Sequence, residues 1–376
     1  MVAGAANDNM VKTAFVVAVS VLNWELLGIT PIMLANLAAL CFIAPFIFLA
    51  GYAAYFAQTI RPRFWLTLLK LFEIVLALIA AVAISTETVW LLLFSLCGFG
   101  IQSALVGPLK YALIPRLVDQ QDLLPANAWM ESGTFVAILI GTLIGADWII
   151  EAPINLTLLL LVLACAGLFS IGLIPKLPAN TKTPKIRFTE LVHKQRQDTA
   201  SMSAMWCISG FWAVGSVWLT HLPLLAVDVW LVSSRSVGTL LGQFVMGITA
   251  GALLGVFCKG IARDARVLIG ASVLVIGSLL IQTTDYQNGQ IGMFIAALGG
   301  GFLALPLYTM LQDDSLRVAE RIAVNNVANA LLIMLAAGAS MLALSILKLT
   351  LPIWLLILAI GQLFLCLYHR GNLRIR

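Results

Sequence analysis

Residues 107–134 read GPLKYALIPRLVDQQDLLPANAWMESGT. An apolar run ends in this stretch and another begins, with Lys110, Tyr111, Asn127 and Glu131 spaced across the junction. A bilayer core about 30 Å thick asks for about 20 apolar residues per helix. Working outward, runs of that length recur along the chain at 1–22, 32–56, 64–86, 89–112, 127–150, 154–176, 201–223, 236–258, 267–284, 290–312, 322–346 and 351–371. The 376 residues are 61% hydrophobic and only 10% charged, against roughly 25% charged in a soluble domain. The expectation is an all-α membrane protein with twelve transmembrane helices.

The net charge of +5 does not indicate a nucleic-acid partner, because the basic residues are segregated. With both termini placed in the cytoplasm, seventeen of the 22 Lys and Arg fall on the cytoplasmic side, Arg235 and Lys348 on the other, and Lys12, Lys70 and Lys110 within the membrane. That asymmetry is the positive-inside pattern for twelve spans. The six cysteines lie singly in apolar runs, which suits small packing residues; no metal site or cofactor is expected. The first run lacks a basic leader and contains Asp8 and Lys12, unlike a cleavable signal.

A polar stretch from Pro178 to Ala200 divides the chain into an N-terminal six-helix half (1–176), a cytoplasmic linker (177–200) and a C-terminal six-helix half (201–376). Polar landmarks recur between the halves. Asn127 follows Pro108 by nineteen residues and Asn325 follows Pro306 by nineteen, with Glu131 and Asn329 each four further on. Tyr111 and Tyr308 follow the same prolines, displaced by one position. A parallel repeat of six spans with a basic central linker describes the major facilitator fold. Glycines at Gly141 and Gly145, at Gly247, Gly251 and Gly255, and at Gly299 to Gly301 are spaced for close helix contact.

An ionisable residue inside a membrane helix costs about 2.5–3.5 kcal/mol on insertion scales, so each asks for a reason. Asp8 and Lys12 lie one turn apart, where each can partly neutralise the other. Lys70 and Glu73 have the spacing of a structural intramembrane pair. Lys110 and Glu131 suit either substrate binding and gating or snorkelling to headgroups. The second half offers His221, Gln243, Gln312, Asn325, Asn326 and Asn329 in place of charge, so the charged part of any site belongs to the first half. His193 and Asp198 have the spacing of a glycerolipid acyltransferase motif, but a linker of this length cannot hold acyl donor and acceptor. No enzyme activity is expected.

Four segments carry a resemblance: QSALVGPLKYALIPRLVDQQDLLPANAWMESGTFVAILIGTLIG (102–145), NDNMVKTA (7–14), GGGFLALPLYTMLQ (299–312) and RIAVNNVANALLIMLAAG (321–338). They resemble the bacterial lysophospholipid transporter family of the major facilitator superfamily. The resemblance implies a flippase of the bacterial inner membrane. It would move lysophosphatidylethanolamine and lysophosphatidylglycerol to the cytoplasmic leaflet, where a partner acyltransferase restores the missing chain. It singles out Asp8, Asn9, Lys110, Tyr111, Asn127 and Glu131 in the first half, and Tyr308, Asn325 and Asn326 in the second, as substrate-binding or gating groups, to which the spacing of Lys12 from Asp8 adds Lys12. The sequence departs from the family at Tyr55, which stands where relatives carry an acidic residue. It departs again in GSVWLTHLPLLA (215–226), which offers His221 in place of a basic residue, and only seven residues precede Asp8. Two other readings stay open: an exporter of a drug or metabolite, and a non-transporting membrane partner of a lipid acyltransferase.

Overall fold

The computed structural model describes residues 2–179, 188–232, 236–314 and 316–374. Lys182, Lys185 and Arg187 of the basic linker, Arg235 and Arg376 lie outside the described residues. The regular elements are helical throughout: α1 (Val2–Ser20), α2 (Pro31–Phe48), α3 (Ala50–Thr59), α4 (Pro62–Ser85), α5 (Val89–Leu117), α6 (Leu123–Glu151) and α7 (Pro153–Ser170) precede α8 (Phe188–Gln197) in the linker. Then follow α9 (Thr199–Leu224), α10 (Ser236–Phe257), α11 (Arg263–Leu280), α12 (Tyr286–Leu311), α13 (Val318–Met341) and α14 (Leu351–Leu373).

Each of the twelve apolar runs falls on a helix, with one divided between two. Among the described residues nine helices are long and apolar enough to cross a membrane, and α2 with α3 would make a tenth span bent by 55°. The bend has a local cause. Pro45 sits inside α2 and supplies no N–H to the turn before it, and the helix breaks at Leu49. The two remaining helices, α1 and α11, are less apolar because they carry Asp8 with Lys12 and Arg263, Asp264 with Arg266. Pro31, Pro62, Pro153 and Pro352 each open a helix, where the missing N–H would have no partner in any case.

The helices gather into two compact units. The first comprises 1–113, 136–191 and 316–323, and the second comprises 114–135, 192–315 and 324–376. In the first, α1 approaches α6 so closely that a Cβ on Gly141 would strike the carbonyl oxygen of Ala6, and one on Gly145 that of Met10. In the second, α12 is held between α10 and α11 by the same device. Gly251 faces the Leu298 carbonyl, Gly301 that of Ile248, and Gly299 that of Gly270. Lipid tails give no hydrophobic reward for helix association, so small residues that bring backbones together supply the packing. Gly255 differs: its neighbour is the side chain of Leu305, not backbone.

The first unit also buries an ion pair. Lys70 and Glu73 pair on α4 with almost no side-chain surface exposed. Lys70 runs through a slot between α1 and α7, where Cβ atoms on Gly4 and Gly167 would come 3.0 and 3.1 Å from its Nζ. Glu73 accepts from Asn7 Nδ2 on α1 at 3.1 Å and from Gln102 Nε2 on α5 at 2.9 Å. Asn7 Nδ2 donates also to the Leu160 carbonyl on α7 at 3.2 Å, so three helices meet at one carboxylate and Asn7 ties a fourth to them.

Two outcomes are expected from this packing. Gly145→Val should lower thermal stability in detergent by about 1–3 kcal/mol, whereas Gly242→Ala, whose Cβ would meet no atom within 4 Å, should be neutral. Lys70→Met alone should cost about 3–5 kcal/mol by stranding a buried carboxylate. The Lys70→Met/Glu73→Gln double variant keeps an acceptor for Asn7 and Gln102 and should melt closer to the parent protein, as read by a fluorescence or size-exclusion melting curve.

Candidate functional site

Three consecutive polar residues, Asn7, Asp8 and Asn9, sit buried on α1. Helix geometry turns successive side chains by about 100°, so the three point to different neighbours. Asn7 joins the Glu73 network described above. Asp8 Oδ2 accepts a hydrogen bond from Ser103 Oγ on α5, while its Oδ1 is buried without a partner. Asn9 Nδ2 turns back to the Ala5 carbonyl of its own helix at 2.8 Å. The sequence suggested Lys12 as the neighbour that neutralises Asp8. The two remain within electrostatic reach of each other, while Asp8 also accepts from Ser103 and Lys12 Nζ lies 6.0 Å from the ring centroid of Phe42 on α2, a cation–π distance. Lys12 is half-buried, its stem along apolar surface. The first unit therefore holds a carboxylate with one oxygen uncommitted, next in sequence to the residue that bridges to a buried ion pair.

Lys110 and Tyr111 lie near the end of α5, in the first unit, with Lys110 Nζ 5.0 Å from the Tyr111 ring centroid. Asn127 and Glu131 lie near the start of α6, in the second unit, and both are buried. Asn127 forms a two-way amide pair with Gln312 at the end of α12. Its Nδ2 donates to Gln312 Oε1 at 2.5 Å, and Gln312 Nε2 donates to Asn127 Oδ1 at 3.0 Å. Asn127 Nδ2 also reaches the Leu123 carbonyl at 2.8 Å. Asn325, at the corresponding place on α13, is as deeply buried but has no partner for either amide atom. Asn326, beside it, is only partly buried.

Tyr308 is part of an aromatic group in the second unit. Its hydroxyl accepts from Trp212 Nε1 on α9 at 2.7 Å. Phe135 stacks on Trp212 at 5.5 Å and meets Phe211 edge-on at 6.4 Å. Ser209 donates to Asn329 Oδ1 at 2.8 Å. Sequence reading did not single out Asn7, Gln102, Ser103, Ser209, Trp212 or Phe135. The polar ones carried a usable signal, since each interrupts an apolar run, whereas the two aromatics look like ordinary membrane-helix residues until their partners are known.

The remaining polar candidates stand apart from these clusters. His221 turns Nδ1 toward the Val217 carbonyl of its own helix at 3.0 Å. In the linker, Asp198 caps α9 by accepting from the Ser201 N–H at 3.1 Å, and His193 meets Gln197 at 3.2 Å. Leu191 and Gln195 are buried on one side of α8, and His193, Lys194 and Arg196 are exposed on the other, an amphipathic pattern. Tyr55 lies on α3, partly buried. Among the described residues no three His, Cys, Asp or Glu side chains are grouped as a metal site.

Comparison with known proteins places these features. The Major Facilitator Superfamily profile matches residues 2–338. Lysophospholipid transporters LplT are similar: that of Serratia proteamaculans is 29% identical over 269 residues, 66% of this chain and 65% of the relative. That of Cronobacter sakazakii is 30% identical over 278 residues, 68% of this chain and 66% of the relative. The match thus spans just under two thirds of these relatives' length. Among solved structures, the Escherichia coli fucose:proton symporter FucP superimposes with a TM-score of 0.70 at 11% identity, covering 99% of this chain and 97% of that one. A bacterial homologue of the iron transporter ferroportin, in an outward-facing state, gives 0.69 at 14%, covering 99% and 97%. At such identities the likeness shows the fold alone. With its helical runs, its polar landmarks repeated at one spacing and a family match over nearly nine tenths of its length, the chain is a multi-pass membrane protein and belongs to the Major Facilitator Superfamily.

Proposed function

We propose that the protein transports lysophospholipids, with ethanolamine or glycerol headgroups, to the cytoplasmic leaflet of a bacterial inner membrane by alternating access, for re-acylation by a partner acyltransferase. In this reading both termini are cytoplasmic, as the distribution of Lys and Arg favours, and the six-helix halves 1–176 and 201–376 are joined by the linker 177–200. The observation that carries the reading is the buried Asp8 carboxylate with an uncommitted oxygen, set among apolar helices in a chain whose relatives are named lysophospholipid transporters. A substrate with a charged head and a single greasy tail needs a few polar groups inside an apolar bundle.

The roles follow from charge. Lys110 meets the phosphate as a point charge, and Asp8 or Glu131 meets an ammonium. Asn9, Lys12, Tyr111, Asn127, Tyr308 and Asn326 complete the set of binding or gating groups. Asn325 adds an amide whose donor and acceptor are both uncommitted. Buried polar groups without partners are costly, and a headgroup that satisfies them recovers that cost on binding.

The test is flipping of labelled lysophosphatidylethanolamine in proteoliposomes. The parent protein is expected to flip it, with Lys110→Ala and Glu131→Gln each slowing the flip at low substrate by roughly tenfold or more, the size of a lost charge-assisted contact. Both variants should remain folded by size-exclusion chromatography. Flipping unchanged in both variants would remove Lys110 and Glu131 from the site. No flipping by the folded parent under imposed proton and sodium gradients would overturn lipid transport in favour of a soluble-substrate exporter or a non-transporting partner.

A further inference from the structure

The second unit contains a cavity that the polar site does not use. It lies among α9, α10, α11 and α12, with Phe211, Gly215, Trp218, Phe244, Ile248 and Gly300 on its walls. Its free volume is about 20 Å³, enough for one water-sized body. A water there would lack the two to four polar partners it needs, since the lining side chains are otherwise hydrocarbon and aromatic. The walls present no polar atom to the space. The cavity therefore offers nothing to a phosphate, an ammonium or a sugar hydroxyl network.

Two features give it room to accept a chain. Gly215 is open to the space beside it, because a Cβ there would meet no heavy atom within 4 Å. Across the cavity, a Cβ on Gly300 would stand 3.0 Å from the Phe211 ring, so Gly300 leaves the ring its place. Trp218, stacked on Phe244 at 6.0 Å and only 1% exposed, forms a rigid wall. Pockets between bundle helices that are apolar and largely preformed select ligands by shape.

We propose that this cavity seats the terminal methyl end of a substrate's acyl chain and that Gly215 sets the chain length it admits. The proposal rests on the lipid-transport reading above and adds a tail site to it. Filling the space at Gly215 shortens the seat, so long chains lose their terminal contacts while short chains, which never reach it, are unaffected. Removing the Phe244 ring lengthens the seat and shifts the preference to longer chains.

The test compares lauroyl, palmitoyl and stearoyl lysophosphatidylethanolamine in proteoliposomes containing the parent protein, Gly215→Leu or Phe244→Ala. Gly215→Leu should lower kcat/KM for the stearoyl lipid by roughly tenfold or more, the discrimination a few methylenes allow, and leave the lauroyl lipid unchanged. Phe244→Ala should move the optimum toward stearoyl. A second measurement, independent of the substitutions' effect on folding, uses a lysophospholipid brominated at its terminal methyl: it should quench tryptophan fluorescence of the parent protein, and Trp218→Phe should remove most of that quenching. A chain-length profile identical in all three proteins, equal losses for every chain in Gly215→Leu, or quenching unaltered by Trp218→Phe would each overturn the tail site while leaving lipid transport standing. A parent protein that flips none of the three lipids would instead overturn the transport reading on which the site depends.

Discussion

Glu73 is a carboxylate with no exposed surface, on a helix whose other faces are built for hydrocarbon. Water cannot stabilise it there, so the protein must. Lys70 supplies the opposite charge from the previous turn, Asn7 and Gln102 supply N–H donors from α1 and α5, and Gly4 and Gly167 leave the channel through which Lys70 reaches it. Each partner comes from a different helix and must arrive in one rotation about its axis. The need to satisfy one buried charge therefore orients α1, α4, α5 and α7 together. Asp8 is placed by the same requirement, since the rotation that aims Asn7 at Glu73 leaves Asp8 to meet Ser103.

The second unit buries Glu131, Asp264 and Arg266 as well, with Arg370 paired to Asp264 at 3.2 Å, but it also relies on neutral pairs. Amides, hydroxyls and indoles join there as Asn127 with Gln312, Ser209 with Asn329 and Trp212 with Tyr308. Its helices are drawn together by backbone contact at glycines more than by electrostatics. Neutral pairs cost less to bury and tolerate imperfect geometry better than ions do. Asn325, deeply buried in this unit, has no hydrogen-bond partner for either amide atom.

Much of this was legible before any coordinates. Apolar run length set the helices, and the i,i+3 spacing of Lys70 and Glu73 was enough to pair them, because a local contact on one helix is fixed by helical periodicity alone. The bend at Leu49 was less visible, since Pro45 inside a run kinks some helices and merely ends others. Asp8 and Lys12 show the limit of the same reasoning. Their spacing gave the pair, but not Ser103, 95 residues away, which also meets Asp8, nor Phe42 on another helix, whose ring Lys12 approaches.

The sequence by itself determined the membrane environment, the helical runs and the recurrence of Asn127 and Glu131 as Asn325 and Asn329, because these depend on composition and on spacing along one chain. Only the tertiary structure decided which polar group meets which. It showed that Asn127 finds Gln312 and Asn325 finds no partner, that Gly167 makes room for Lys70, and that Gly215 stands beside open space. Such contacts depend on the rotation and approach of helices far apart in sequence. Those are set by the joint packing of many side chains, and no local pattern encodes them.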